Sequence, residues 1–147
     1  MNFTPLAQKA TAQRANTKVF SDSTDNRSYS AIFGNTKIFA GSTTLGTTNW
    51  QPYSNDLAPP GIEAGIYVDV DTSEAGFTST PKYVISLGGI NSHWRVTGAS
   101  SVYNSTPTSF RVYIRFSEVD IISLYPTLTP EFANGQQWHI NWIAVGK

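Results

Sequence analysis

Residues with reactive side chains are sparse in this chain, and their spacing narrows what chemistry they can do. There are two histidines and no cysteine, which excludes disulfides, thiolate nucleophiles and cysteine-ligated zinc. His93 and His139 stand far apart, and neither has the spacing of a metal site or of a nucleophile paired with a base. The plain reading of each is a polar residue on a strand. Asp69 and Asp71 share a face if their segment is extended, which supplies half a calcium site or a carboxylate couple. The pattern Tyr-Val-Asp-Val-Asp is explained as well by two acids facing solvent in alternation with Tyr67, Val68 and Val70. Gly88 and Gly89 are not followed by a helical pattern, so they read as a strand end or bulge rather than a phosphate loop. A glycan hydrolase needs two carboxylates across one cleft, and Glu118 with Asp120 or Glu131 is the only local supply. The chain therefore reads as a non-enzyme, with no metal and no cofactor.

The tripeptide His93-Trp94-Arg95 is different. It follows the Gly-Gly-Ile-Asn-Ser turn and stands at a strand start, where side chains gather at the rim of a β-sandwich. Sugar recognition needs this mixture: an aromatic face against the apolar patch of a pyranose, with charged or amide groups for paired hydrogen bonds to hydroxyls. The competing reading is that Arg95 pairs with a carboxylate at a subunit contact. Trp138 and Trp142 share a face with Ile140 and read as core.

The elements that must position these residues are strands. From Ser109 to Phe116, the residues Phe110, Val112, Ile114 and Phe116 point one way while Arg111, Tyr113 and Arg115 point the other. Trp138, Ile140, Trp142 and Ala144 repeat the pattern near the C-terminus. Further strands are expected at Ile66 to Asp71, at Lys82 to Ile90, over HWRVTG and SSVYN as one long or bulged strand, and at Val119 to Leu124. YPTLTPEFANGQ reads as a loop, and Pro107 favours a turn between Tyr103 and Phe110. About six antiparallel strands without a long helix indicate an all-β antiparallel sandwich.

The composition changes at Pro59 and Pro60, which sets an N-terminal segment, 1–60, apart from a β-sandwich, 61–147. Within the first part, Gly34 and Asn35 separate two β-type runs as a hairpin loop over 28–40 would. Residues 1–15 suit a short helix. Residues 42–56 are polar around Trp50 and Tyr53, and read either as a loop or as an arm ordered against neighbouring subunits. At 147 residues the chain can bury one core unaided. Ten Lys plus Arg balance ten Asp plus Glu, so no basic field draws in nucleic acid. No secretory signal and no apolar run long enough for membrane insertion is visible.

Three stretches, GFTSTPKYVISL, SVYNSTPTSFRVYIRF and QQWHINWIAVG, carry a resemblance to the H-type lectin family over about residues 62–147. The likeness is strongest in STPTSF and WHINWIAVG. Members of that family are antiparallel β-sandwiches that form trimers, often paired into hexamers, and bind galactose-type sugars where protomers meet; the resemblance implies the fold and the assembly for this chain, and not the sugar specificity. Arg95 matches the family's binding arginine. The aromatic and histidine pair that follows the family's central strand falls on Ser117 and Glu118, and the binding tyrosine falls on Gln136. Neither Ser117 nor Glu118 can stack on a sugar, and Tyr125 or Phe132 in the long loop after them would replace the missing aromatics. His93, Trp94, Arg95, Glu118, Tyr125 and Gln136 are thus the expected sugar-binding set.

The expected function is a non-enzymatic carbohydrate-binding or receptor-binding module. A polar N-terminal segment ahead of a lectin-like tip resembles the layout of phage tail-fibre adhesion proteins, with the arm engaging a docking partner and the tip a glycan or cell-surface polysaccharide. That implies a virion tail or an extracellular surface as the location. The alternative is a structural tail or baseplate protein that keeps the lectin-like fold only for trimerisation.

Overall fold

A computed structural model describes residues 29–54, 64–117 and 128–147. Among the described residues the alternating runs form eight strands, labelled in chain order: β1 (Tyr29–Phe33), β2 (Thr36–Ser42), β3 (Gln51–Tyr53), β4 (Gly65–Asp71), β5 (Lys82–Gly88), β6 (Val96–Thr97), β7 (Ser109–Phe116) and β8 (His139–Gly146). One short helix, α1 (Pro130–Gly135), precedes β8. The strands make two four-stranded sheets, ordered β1-β2-β8-β5 and β3-β4-β7-β6. Every strand pair is antiparallel.

The inner faces are the apolar ones. In one sheet Ile66, Val68 and Val70 of β4 stand opposite Ile114, Val112 and Phe110 of β7. In the other, Phe39, Ile85, Ile140, Trp142 and Ala144 are buried. Rings join the two layers: Phe110 lies 4.6 Å from Tyr83 and 6.3 Å from Trp142, tilted or edge-on. Such contacts add to the area term for burying side chains of this size, about 1.5–3 kcal/mol each. The all-β antiparallel sandwich expected from the alternation is therefore the fold.

The hairpin at Gly34-Asn35 forms as expected, with Phe33 opposite Thr36 and Gly34 at φ +60°, a conformation glycine adopts without a Cβ penalty. It is built into the sandwich, because β2 lies between β1 and β8. The compositional break at Pro59-Pro60 thus falls between strands of one sheet pair. Trp50, in the segment read as a loop or arm, is 3% exposed, and its indole donates to the Trp138 carbonyl at 3.2 Å.

Two local expectations are corrected. His93–Arg95 is a 3-10 turn ahead of β6, not the start of a long strand, and the partner of β7 past Gly98 shrinks to a bridge between Tyr103 and Arg111. The stretch read wholly as a loop contains α1. Its start signals are local: the Thr129 hydroxyl accepts from the Phe132 amide at 3.2 Å, Pro130 occupies the first turn, and Glu131 complements the helix dipole. The helix is too short for a 3.6-residue period to show in the sequence. The strand expected at Val119 to Leu124 and the helix expected over 1–15 lie outside the described residues.

Candidate functional site

At one end of the sandwich β5 finishes, β8 begins and β7 finishes, and the connection 89–95 between β5 and β6 runs across that end. Gly88 opposes His139 there. The connection is held along its length. The Ile90 amide donates to the Gln136 carbonyl at 3.0 Å, and the Trp138 indole donates to the Asn91 carbonyl at 2.8 Å. The Ser92 amide donates to Asn91 Oδ1 at 2.7 Å, and the Arg95 amide closes the 3-10 turn onto the Ser92 carbonyl at 3.1 Å. The Arg95 carbonyl then accepts from both the amide and the hydroxyl of Ser117, at 2.9 and 2.8 Å. Ser92 sits in the left-handed region at φ 62°, which costs a residue with a Cβ about 1–2 kcal/mol. Backbone strain of this kind is retained where the surroundings over-determine it, and it clusters at ligand clamps.

The glycine pair stands at a strand end, as expected, with β5 finishing at Gly88, and Gly89 makes a close approach. A Cβ there would lie 2.5 Å from Trp138 Cδ1 and 3.0 Å from the Gln136 carbonyl, so only glycine lets the connection lie against the indole.

This scaffold presents Trp94 with 76% of its surface exposed. His93 beside it is exposed as well. The Arg95 guanidinium lies over the Phe116 ring, 5.3 Å from its centroid. Phe116 packs edge-on against Phe132 at 6.0 Å, and Phe132 against Trp138 at 5.6 Å. A continuous row of rings thus runs from the buried Trp138 to the underside of Arg95, and stacking on Phe116 helps to hold the guanidinium in place.

Of the sequence-expected set, the structure brings His93, Trp94 and Arg95 to the same end as Gln136. Gln136 takes part through its main chain: its carbonyl fixes Ile90, and its amide closes α1 onto Phe132 at 3.0 Å. Glu118 and Tyr125 lie outside the described residues. Phe132, expected as a replacement stacking platform, is instead packed between Phe116 and Trp138, because its place in α1 turns it toward the core. Among the described residues no group of three or more His, Cys, Asp or Glu is placed to hold a metal ion. His139 Nδ1 lies 2.9 Å from the Gln137 carbonyl.

A second polar cluster lies on the outer face of β3, β4 and β7, and it was not singled out from the sequence. Asp69 and Arg111 face each other across the ladder and form a two-pronged ion pair, Nε to Oδ1 at 2.7 Å and Nη2 to Oδ2 at 2.6 Å. Arg111 also donates to the Tyr113 hydroxyl at 3.2 Å and stacks over the Tyr67 ring at 4.2 Å. Around Tyr113 gather Tyr53 at 4.8 Å, Tyr103 at 5.1 Å and Tyr67 at 5.6 Å. The hydrogen bonds from Arg111 hold the Asp69 carboxyl below its usual range, with slight burial opposing them and the guanidinium charge adding to them. The same bonds, Asp69 first, raise Arg111.

Asp69 and Asp71 do share the outward face, but they do not act as a couple. Asp71 Oδ1 accepts from the Ser73 amide at 2.8 Å, and this bond lowers its carboxyl. Tyr67 faces outward with Asp69 rather than inward with Val68 and Val70, as its stacking with Arg111 requires. The signal for this cluster was the alternation that put Arg111 and Tyr113 opposite Phe110 and Val112; what it lacked was the identity of the neighbouring strand.

No protein-family model, no curated protein and no solved structure matches this chain.

Proposed function

We propose that this chain is a non-enzymatic carbohydrate-binding or receptor-binding module whose primary site is the connection 89–95. The observation that carries the reading is Trp94: a tryptophan 76% exposed on a connection tied at Ile90, Asn91, Ser92 and Arg95. Its ring gives a pyranose an apolar face at little conformational cost, since the backbone beneath it is already ordered. Arg95 and His93 supply hydrogen-bonding groups beside it. The H-type lectin resemblance points to the same class of ligand, with Arg95 in the role of the sugar-binding arginine and Glu118, Tyr125 and Gln136 completing the site.

Single sugar sites are weak, and display of several copies multiplies them. The outer face of β1-β2-β8-β5 suits such assembly. Val84 and Ile143 are cross-strand partners there, 67% and 47% exposed, beside Val145 at 37%. Ile38 and Ala40 continue the face opposite Val145 and Ile143. A homotrimer, or a hexamer of two, would bury it, and an adhesion tip of a phage tail fibre or similar particle is the setting in which such a module works, with the part of the chain ahead of β1 as the docking end. The apolar face also favours the second reading, a structural tail or baseplate component that assembles through this sheet without binding sugar.

A glycan-array screen of the purified protein, with its solution mass measured in the same preparation, tests both. Selective glycan binding lost in Trp94→Ala supports the first reading. A defined oligomer that binds no glycan replaces it with the second.

A further inference from the structure

We propose that the outer face of β3, β4 and β7 is a second binding surface, which takes a neutral polysaccharide chain rather than a single terminal sugar. The proposal shares with the reading above only the class of ligand, and uses none of the residues of the 89–95 connection.

The first ground is charge. Asp69 and Arg111 engage each other through both oxygens and through Nε and Nη2, so the cluster presents a donor and an acceptor side by side with no net charge. An anionic ligand gains little there, because it would have to compete with Asp69 for the guanidinium. A neutral diol is the complementary partner: one hydroxyl accepts from the guanidinium edge while its neighbour donates to the carboxylate. The Asp69 side chain remains 59% exposed and that of Arg111 26%, so both are within reach of solvent and ligand.

The second ground is extent. Tyr67 pairs with Tyr113 and Asp69 with Arg111 across the β4–β7 ladder, Tyr103 bridges Arg111 on the other side of β7, and β3 places Tyr53 against Tyr113. The cluster therefore runs across the strands, stepping about 4.8 Å per strand, a step close to the length of one pyranose unit. Tyr103, 47% exposed, offers the most open ring. The hydroxyls of a tyrosine cluster both donate and accept, while the rings take the apolar faces of the sugar units. The third ground is rigidity: the rings brace one another edge-on or tilted around Tyr113, and the ion pair holds Arg111, so little side-chain freedom is lost on binding.

The test is affinity electrophoresis of the full chain through gels containing dextran, galactomannan or a soluble β-glucan, with Trp94→Ala, Tyr103→Ala and Arg111→Met run beside the wild type. Thermal unfolding of each variant shows that it is folded. The expected result is retardation by at least one of the polysaccharides that survives Trp94→Ala and falls at least tenfold in apparent affinity in Tyr103→Ala and Arg111→Met. Retardation lost in Trp94→Ala but unchanged in folded Tyr103→Ala and Arg111→Met overturns this second surface and leaves the first site standing. Absence of retardation by all three polysaccharides overturns it as well, while glycan-array binding through Trp94 would still stand on its own.

Discussion

The indole of Trp138, fully buried and packed against Phe132 of α1, donates to the Asn91 carbonyl at 2.8 Å and so ties the connection that displays Trp94 to the core. Core packing and the presentation of the site are therefore coupled through one hydrogen bond and one ring.

Trp138→Phe removes that donor and part of the ring volume. It is expected to destabilise the fold by about 1–3 kcal/mol, from an unsatisfied carbonyl and incomplete packing. Glycan binding should weaken by more than the loss of folded protein accounts for. Urea unfolding set against binding on the same samples separates the two effects.

Gly89→Ala acts on the same contact from the other side. Its Cβ would stand 2.5 Å from Trp138 Cδ1, so the connection must lift away, at a cost of about 1–3 kcal/mol. Hydrogen exchange at the Ile90 amide, bonded to the Gln136 carbonyl at 3.0 Å in the native protein, should accelerate. Unchanged protection there would show that the connection is not seated as described.

Trp94→Ala should behave oppositely. The side chain is 76% exposed, so unfolding free energy should change by no more than about 0.5 kcal/mol, while affinity for the selected glycan drops at least tenfold.

Acid should weaken the β4–β7 face in a defined window. The folded pKa of Asp69 lies below its unfolded value, chiefly through its hydrogen bonds with Arg111. The stability it contributes is therefore complete above the unfolded carboxylate value of about 3.9 and is lost as pH falls through the lower folded value. Because the pair is substantially exposed, Asp69→Asn should cost only about 0.5–1 kcal/mol at neutral pH, and the difference between variant and wild type should shrink toward pH 2. Asp71 titrates in the same direction through its bond from Ser73, so only the difference between the two proteins isolates Asp69.

Ile143→Glu puts a charge in the middle of the apolar β8 face, beside Val84 and Ala40. If copies associate through this sheet, sedimentation should show the variant shifted to monomer, with its circular dichroism unchanged. An oligomer that persists would place the interface elsewhere.

What the sequence determined by itself is which face of β7 and of β8 is buried. Phe110, Val112 and Ile114 on β7, and Ile140, Trp142 and Ala144 on β8, are buried as the alternation requires, because the two-residue period of an extended chain leaves no other way to sort apolar from polar side chains. The Gly34-Asn35 hairpin was equally legible, since its turn chemistry is local. Neighbourhood was not legible. Backbone ladders are blind to side-chain identity, so nothing in the run from Thr36 to Ser42 says that it pairs with β8, or that Trp50 enters the core against Trp138. The same holds for the sites. His93, Trp94 and Arg95 were visible as a tripeptide, but their display depends on a buried indole more than forty residues away and on a carbonyl of Gln136. Tyr53, Tyr67, Tyr103, Tyr113, Asp69 and Arg111 are scattered in the chain and become one surface only when β3, β4 and β7 align, a long-range pairing that tertiary packing alone decides.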